Sequence, residues 1–179
     1  DLYQRKVLSK GHLVKINARD LIGPYLGQTE DRTKEFLESA RGGILFIDEA
    51  YALAISDKQN DSYAKAAVTL LLDFMEENRD DLIIIAAGYP GPMKKFLESN
   101  EGLSSRFGTI IDFKDYNLDE MMDIFDYQCK HIYNRAAGNG TKDLVKDIIA
   151  AEIKRKDRHF GNGRFARKLL EHADKNMAL

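Results

Sequence analysis

The 179-residue sequence is short of several things that narrow its chemistry. It holds one cysteine, Cys129, so no disulfide can close within the chain. A lone thiol fits a reducing compartment, and a cytoplasmic location is expected. Three prolines argue against a long disordered tail. No apolar run approaches the roughly 18 residues a membrane-spanning helix needs. The longest, Leu82 to Ala87, has the length of a buried strand. Neither charge sign prevails: 27 basic against 29 acidic residues give a formal net charge of −2. So balanced a chain is a poor primary binder of nucleic acid or of an anionic membrane surface, and neither is an expected partner. There is no signal or transit pattern at the start and no Gly-x-Ser-x-Gly nucleophile elbow. His12, His131, His159 and His172 are scattered. Cys129 and His131, two apart on a predicted helix, face different sides, so no cluster of protein metal ligands is expected. The basic run Lys154-Arg155-Lys156 with Arg158 reads as a solvated helix face.

What is present is the balance of a globular protein, with 44% hydrophobic and 31% charged residues. The length suits one ordinary domain or two small subdomains. The first two thirds alternate strand-like and helix-like patterns. His12 to Ile16 is a short apolar run rich in β-branched residues. Thr29 to Ala40 has helical spacing through Thr33, Phe36, Leu37 and Ala40, with Thr29 as its expected cap and Gly42-Gly43 as its stop. Ile44 to Ile47 is apolar without alternation, the mark of a strand buried on both faces of a parallel sheet. Ala64 to Met75 is helical. Leu82 to Ala87 is a second fully buried strand, Pro90 to Pro92 a turn before a short helix, and Thr109 to Phe113 a third buried strand. After Lys114 the pattern changes. Asn117 and Glu120 form a predicted capping box. Three helices follow, over 118–136, 142–156 and 164–177, separated by Gly138-Asn139-Gly140 and Gly161-Asn162-Gly163. The expected organisation is an open α/β sheet over 1–114 and an all-helical part over 115–179.

The strongest chemical signal is Ile44-Leu45-Phe46-Ile47-Asp48-Glu49. It sets two adjacent carboxylates at the carboxyl end of a buried parallel strand, the edge where ligands bind in open α/β sheets. A hydrophobic strand ending in Asp-Glu is the Walker B pattern of nucleotide-hydrolysing enzymes. The first carboxylate helps hold Mg²⁺ through its water shell, and the second can polarise an attacking water. The alternative is a strand that ends in two solvated acids.

Four further segments stand in order with this one. They are Asp20-Leu21-Ile22-Gly23-Pro24-Tyr25-Leu26-Gly27-Gln28-Thr29, Ala87-Gly88-Tyr89-Pro90, Gly102-Leu103-Ser104-Ser105-Arg106-Phe107, and Gly161-Asn162-Gly163-Arg164 with Arg167. Together with Gly42 to Tyr51 they resemble the AAA+ ATPases of the CbbX and stage V sporulation protein K group, in order and in spacing, over nearly the whole chain. The resemblance implies a P-loop-type AAA+ parallel sheet followed by a helical lid, ATP and Mg²⁺ as cofactors, and a homo-oligomeric ring, a hexamer, acting on a protein substrate. Asp48 would then be the magnesium residue and Glu49 the catalytic base. Arg106 resembles the arginine finger that enters a neighbouring subunit's ATP site, where a forked, permanently charged guanidinium suits phosphate. Its alternative is an ordinary surface arginine. Arg164 resembles the sensor 2 arginine, with Arg167, one helical turn on, as the second candidate; the alternative for both is a solvated helix face. Tyr25-Leu26-Gly27 resembles an aromatic pore loop that grips a threaded polypeptide, against the plainer reading of a strand-to-helix loop with local packing. Tyr89 takes the sensor 1 position, where many AAA+ proteins carry Asn or Thr.

One element of the family pattern is missing. The sequence has no Gly-Lys dipeptide and so no Gly-x-x-x-x-Gly-Lys-[Ser/Thr] loop to wrap phosphates. Asp1 to Gly11 resembles the end of the helix that follows this loop in the family. The resemblance therefore implies a P-loop and its strand some tens of residues upstream. In the family's strand order that strand is central, between Leu82–Ala87 and Thr109–Phe113. The 179 residues alone are expected to bind ATP poorly and to be inactive. The rival reading is a truncated or degenerate segment serving as a non-catalytic assembly module.

Overall fold

Three short runs of β-branched and aliphatic residues pair as parallel strands in the order β1 (Leu13–Asn17), β2 (Ile44–Asp48), β3 (Ile83–Ala86). The computed structural model describes residues 2–54, 61–155 and 161–177. It divides into two units, Asp1–Asp112 and Phe113–Leu179. In the first, the chain crosses between strands through α1 (Leu26–Ala40) and α2 (Asp61–Glu77), then continues into α3 (Pro90–Glu98) and α4 (Glu101–Arg106). Register stacks Ile16, Ile47 and Ala86 in one row, and Val14, Leu45 and Ile84 in the next. These rows share a core with Leu37 and Ala40 of α1 and Ala67, Val68 and Leu71 of α2.

The opposite face differs from the expectation of strands buried on both sides. Burial alternates along β2, and on that second face Leu13 is 62% and Ile85 43% exposed. An unbroken apolar run permits burial on two faces, but α1 and α2 join the core on one. The strand expected over Thr109 to Phe113 is also absent. The segment is irregular, and Ile110, Ile111 and Phe113 are 77%, 73% and 87% exposed. A strand exists only within a ladder, and among the described residues β3 pairs with β2 alone.

Local signals explain most boundaries. Gly42 stands at φ +82°, the left-handed turn that stops α1. At Gly43 a Cβ would lie 2.5 Å from the His12 carbonyl oxygen, so no side chain fits. The start of α1 corrects the expected cap. The helix begins at Leu26 with Tyr25 as N-cap, and Gly27 sits in its first turn. Thr29 is fully buried and accepts the Gly23 N–H at 2.9 Å while donating to the Tyr25 carbonyl at 3.2 Å. A buried hydroxyl must be satisfied, and here that need ties the preceding loop to the helix. The expected Pro90–Pro92 turn is the first turn of α3, where proline's fixed φ suits helix entry.

The second unit is three helices, α5 (Leu118–His131), α6 (Asn139–Arg155) and α7 (Gly163–Met177). The predicted capping box is present: Asn117 accepts the Glu120 N–H at 3.0 Å, and Glu120 accepts the Asn117 N–H at 2.8 Å. α5 ends at His131 rather than Ala136. Asn134 turns at φ +49°, and the Arg135 N–H returns to the Cys129 carbonyl. Met121, Phe125, Val145, Ile149, Ala166 and Leu170 form the core with Cys129, whose thiol burial pushes to a higher pKa, so it stays protonated. Lys156, Arg158 and His159 lie outside the described residues. Among the described residues no helix is long and apolar enough to cross a membrane.

Candidate functional site

Asp48 is the last residue of β2, and Asn17 of β1 lies beside it in register. Its Oδ1 accepts the Glu49 N–H at 3.1 Å. Its Oδ2 lies 3.9 Å from the Lys15 ammonium, which also sits 5.5 Å from the centre of the Phe46 ring. The Asp48 side chain is 46% exposed, so this pair is weak and one carboxylate edge stays open to solvent.

Glu49 departs from regular geometry. It adopts φ 53°, ψ 39°, a left-handed conformation uncommon outside glycine. Such outliers persist where the surroundings over-determine them, and they gather at functional sites. Two sets of bonds hold this one. The Ala52 N–H donates to the Glu49 carbonyl, opening the short 3-10 turn Ala50–Leu53. The Ala50 N–H donates to the Ala87 carbonyl at 3.0 Å, and the Ala87 N–H to the Ile47 carbonyl at 2.9 Å. The ends of β2 and β3 are thereby stitched together, and Tyr89 follows directly as N-cap of α3. Tyr89 is 64% exposed, its ring centre 6.4 Å from that of Tyr51. Asp48, Glu49 and Tyr89 thus share one edge of the sheet.

The other predicted residues stand on other elements. Arg106 ends α4 and pairs with Glu76 of α2 at 3.1 Å. Tyr25, Leu26 and Gly27 open α1 with Tyr25 73% and Leu26 44% exposed, and the ideal Cβ position of Gly27 has no neighbour within 4 Å. Arg164 and Arg167 are exposed in the first turns of α7, in the helical unit. The structure adds residues that sequence reasoning left without a role. Lys15 was findable from its place on β1 two residues before Asn17, the register partner of Asp48, Tyr51 from its place two residues past Glu49, and Glu76 from no local signal.

A magnesium nucleotide fits this edge in part. Among the described residues no group of three or more His, Cys, Asp or Glu converges to cage a metal. One open carboxylate at a strand end suits a cation that keeps its waters and takes its other ligands from substrate phosphates. A backbone cradle for those phosphates is not among the motifs of this sequence.

Residues 5–115 match the ATPase family associated with various cellular activities (AAA), and residues 117–179 match the AAA lid domain. The chain is 41% identical over 172 residues to protein CbxX (chromosomal) of Cupriavidus necator, covering 96% of this chain and 53% of that protein. It is 39% identical to protein CbbX of Cereibacter sphaeroides, covering 96% and 54%. It is 38% identical to the chloroplastic ribulose bisphosphate carboxylase/oxygenase activase of Cyanidioschyzon merolae, covering 96% and 57%. The chain spans about half the length of these curated relatives.

Proposed function

The chain belongs to the AAA family of ATPases, and from that premise we propose that it is part of an ATP-driven machine that remodels or threads a protein substrate within a hexameric ring. The observation that carries this reading is Glu49, a carboxylate held on left-handed backbone directly after the strand-terminal Asp48. A protein named as an activase of another enzyme among the relatives supports a protein as the substrate class.

ATP with Mg²⁺, when bound, supplies the phosphoanhydride whose hydrolysis drives the cycle. Asp48 holds the hydrated cation through its open carboxylate edge. Glu49 accepts the proton of the attacking water. Arg106 serves a neighbouring subunit's site. Its present partner Glu76 is an exposed carboxylate, and an exposed pair is worth about 1 kcal/mol or less, so releasing the guanidinium to a phosphate costs little. Tyr89 occupies the sensor 1 position beside Glu49, and Arg164, with Arg167 behind it, reports nucleotide state to the lid. Tyr25 with Leu26 and Gly27 grips the substrate, a role that its exposure supports. The phosphate cradle belongs to a part of the complete protein outside these 179 residues. Relatives about twice as long support this, as do the open edge of β3 and the unpaired apolar run at Thr109–Phe113. A location in the cytoplasm fits the single buried thiol.

The test is steady-state ATP hydrolysis by the complete protein. Glu49→Gln is expected to slow turnover about 100-fold or more while nucleotide binding survives. Unchanged turnover in the variant overturns the base assignment. The missing Gly-Lys dipeptide favours a second reading, a non-catalytic assembly module; complete protein that assembles but hydrolyses no ATP establishes that one instead.

A further inference from the structure

α2 and α4 meet turn against turn. Gly102 of α4 sits so close to α2 that a Cβ on it would fall 2.9 Å from the Leu72 Cδ1. Four residues on along each helix, across the same seam, the Arg106 Nη2 donates to the Glu76 Oε2 at 3.1 Å. The start of α4 is held by Asn100, whose Oδ1 accepts the Gly102 N–H at 2.8 Å. Its end is held by the fully buried Leu103 and by Phe107. The Phe107 N–H donates to the Leu103 carbonyl, and its ring centre lies 6.3 Å from that of the buried Phe96. The backbone that carries Arg106 is therefore fixed, and the freedom left is that of the side chain.

That side chain folds back along its own helix. Its Nη1 lies 3.5 Å from the ideal Cβ position of Gly102, so the guanidinium lies over a residue without a side chain. Here it is 32% exposed, beside a Glu76 that is 60% exposed. A guanidinium offers five N–H donors and a permanent charge, and carboxylate and phosphate oxygens compete for both. A carboxylate brings one negative charge, and a triphosphate brings several with more acceptor oxygens, so phosphate within reach wins. Resting on the reading of Arg106 as the finger, we propose that Glu76 is a positioning residue that restrains it. The carboxylate holds the guanidinium over Gly102 against α2 and yields it to phosphates bound by the neighbouring subunit. ATP binding then works against this ion pair, and a subunit without nucleotide next to it keeps its finger on itself.

The experiment uses the complete protein, unsubstituted and with Glu76→Gln, Arg106→Gln or both. Calorimetry gives the Kd of a non-hydrolysable ATP analogue with Mg²⁺, and steady-state assays give ATP hydrolysis. Glutamine keeps the size of Glu76 and removes its charge. Glu76→Gln is expected to tighten the analogue about two- to fivefold, the range an exposed ion pair can supply, with kcat changed by less than about twofold. Mere disturbance of the seam between α2 and α4 would weaken binding or slow turnover, not tighten it. In the Arg106→Gln background the same substitution should leave Kd within about 1.5-fold, because no guanidinium is left to restrain. Equal tightening in both backgrounds means that the carboxylate acts on the nucleotide directly, and it overturns the restraint. Unchanged or weaker binding in Glu76→Gln, or a larger fall in kcat, also overturns it, while slow hydrolysis in Arg106→Gln leaves Arg106 as the finger. Full turnover in Arg106→Gln overturns the finger assignment and this inference together.

Discussion

In the helical unit each of three helices turns one stripe inward. Met121, Phe125 and Cys129 of α5 meet Val145 and Ile149 of α6 and Ala166 and Leu170 of α7, and the chain entering α5 is closed by a reciprocal cap. The α/β unit is built otherwise. It buries Leu45 and Ile47 completely on one sheet face, yet leaves Leu13 and Ile85 on the other open to solvent and β3 paired on one side. A left-handed backbone residue, Glu49, stands where the proposed chemistry is. The helical unit closes on a core of its own; the α/β unit holds a functional edge on a sheet that its described residues cover in part. Rigid support gathers beneath Asp48 and Glu49, and incompleteness gathers on the far face and edge.

The largest expected effects test whether the two cores are separate. Ile47→Ala and Ile149→Ala each remove a fully buried side chain and should each cost about 2–5 kcal/mol. Hydrogen exchange read by mass spectrometry should show Ile47→Ala lowering protection in β1–β3 and Ile149→Ala lowering it in α5–α7. Equal loss in both units from either substitution means that they unfold as one, and the contrast drawn above fails. Next in size is Gly88→Ala. The new methyl group must displace Tyr51 or Met93, and overpacking of this kind costs about 1–3 kcal/mol. A melting temperature equal to that of the unsubstituted protein would show that the seat of Tyr51 is looser than its contacts require. Smaller again is Asn117→Ala, which deletes half of the capping box at the entrance to α5 and should cost about 1 kcal/mol in urea unfolding. A loss well above that would mean Asn117 does more than cap a self-contained helix.

Much of this contrast is legible in the residues. Asn117 with Glu120, the double glycine after Ala40 and the spacing of Leu70, Leu71 and Phe74 act within a turn or two of chain, so they read directly and the helices follow. Asp48-Glu49 reads as a strand end for the same reason. The misreadings arise where distant groups decide. Thr29 has a cap's chemistry, but burial beneath Gly23 and Tyr25 assigns its hydroxyl another task. Ile44 to Ile47 has the composition of a two-sided strand, and composition cannot say whether a second layer is there to cover it. Tyr51 reads as one more aromatic until Gly88, 37 positions later in the sequence, is seen against its ring. The left-handed turn at Glu49 carries no local signal, because neither Glu nor the Ala50 that follows favours it.

The smallest expected effect bears on the run Thr109–Phe113, the sharpest case of apolar sequence without a partner. Three large apolar side chains more than 70% exposed within five residues are unusual on a surface. A β-branched run of this kind gains nothing from lying in water. Introducing a charge there should therefore cost the 179-residue chain almost nothing: Ile110→Asp is expected to shift its unfolding free energy by no more than about 0.5 kcal/mol. In the complete protein, if a strand fills the open edge of β3 and pairs with this run, the same aspartate lands in a sheet. The cost then rises to about 2 kcal/mol or more, because a buried carboxylate loses its water. Urea unfolding of the two proteins, each with and without the substitution, separates the cases. A large cost in the short chain would show that the run is already packed and that the α/β unit is less open than its exposure indicates. A negligible cost in both would make the run a linker, and the open edge of β3 would need another occupant.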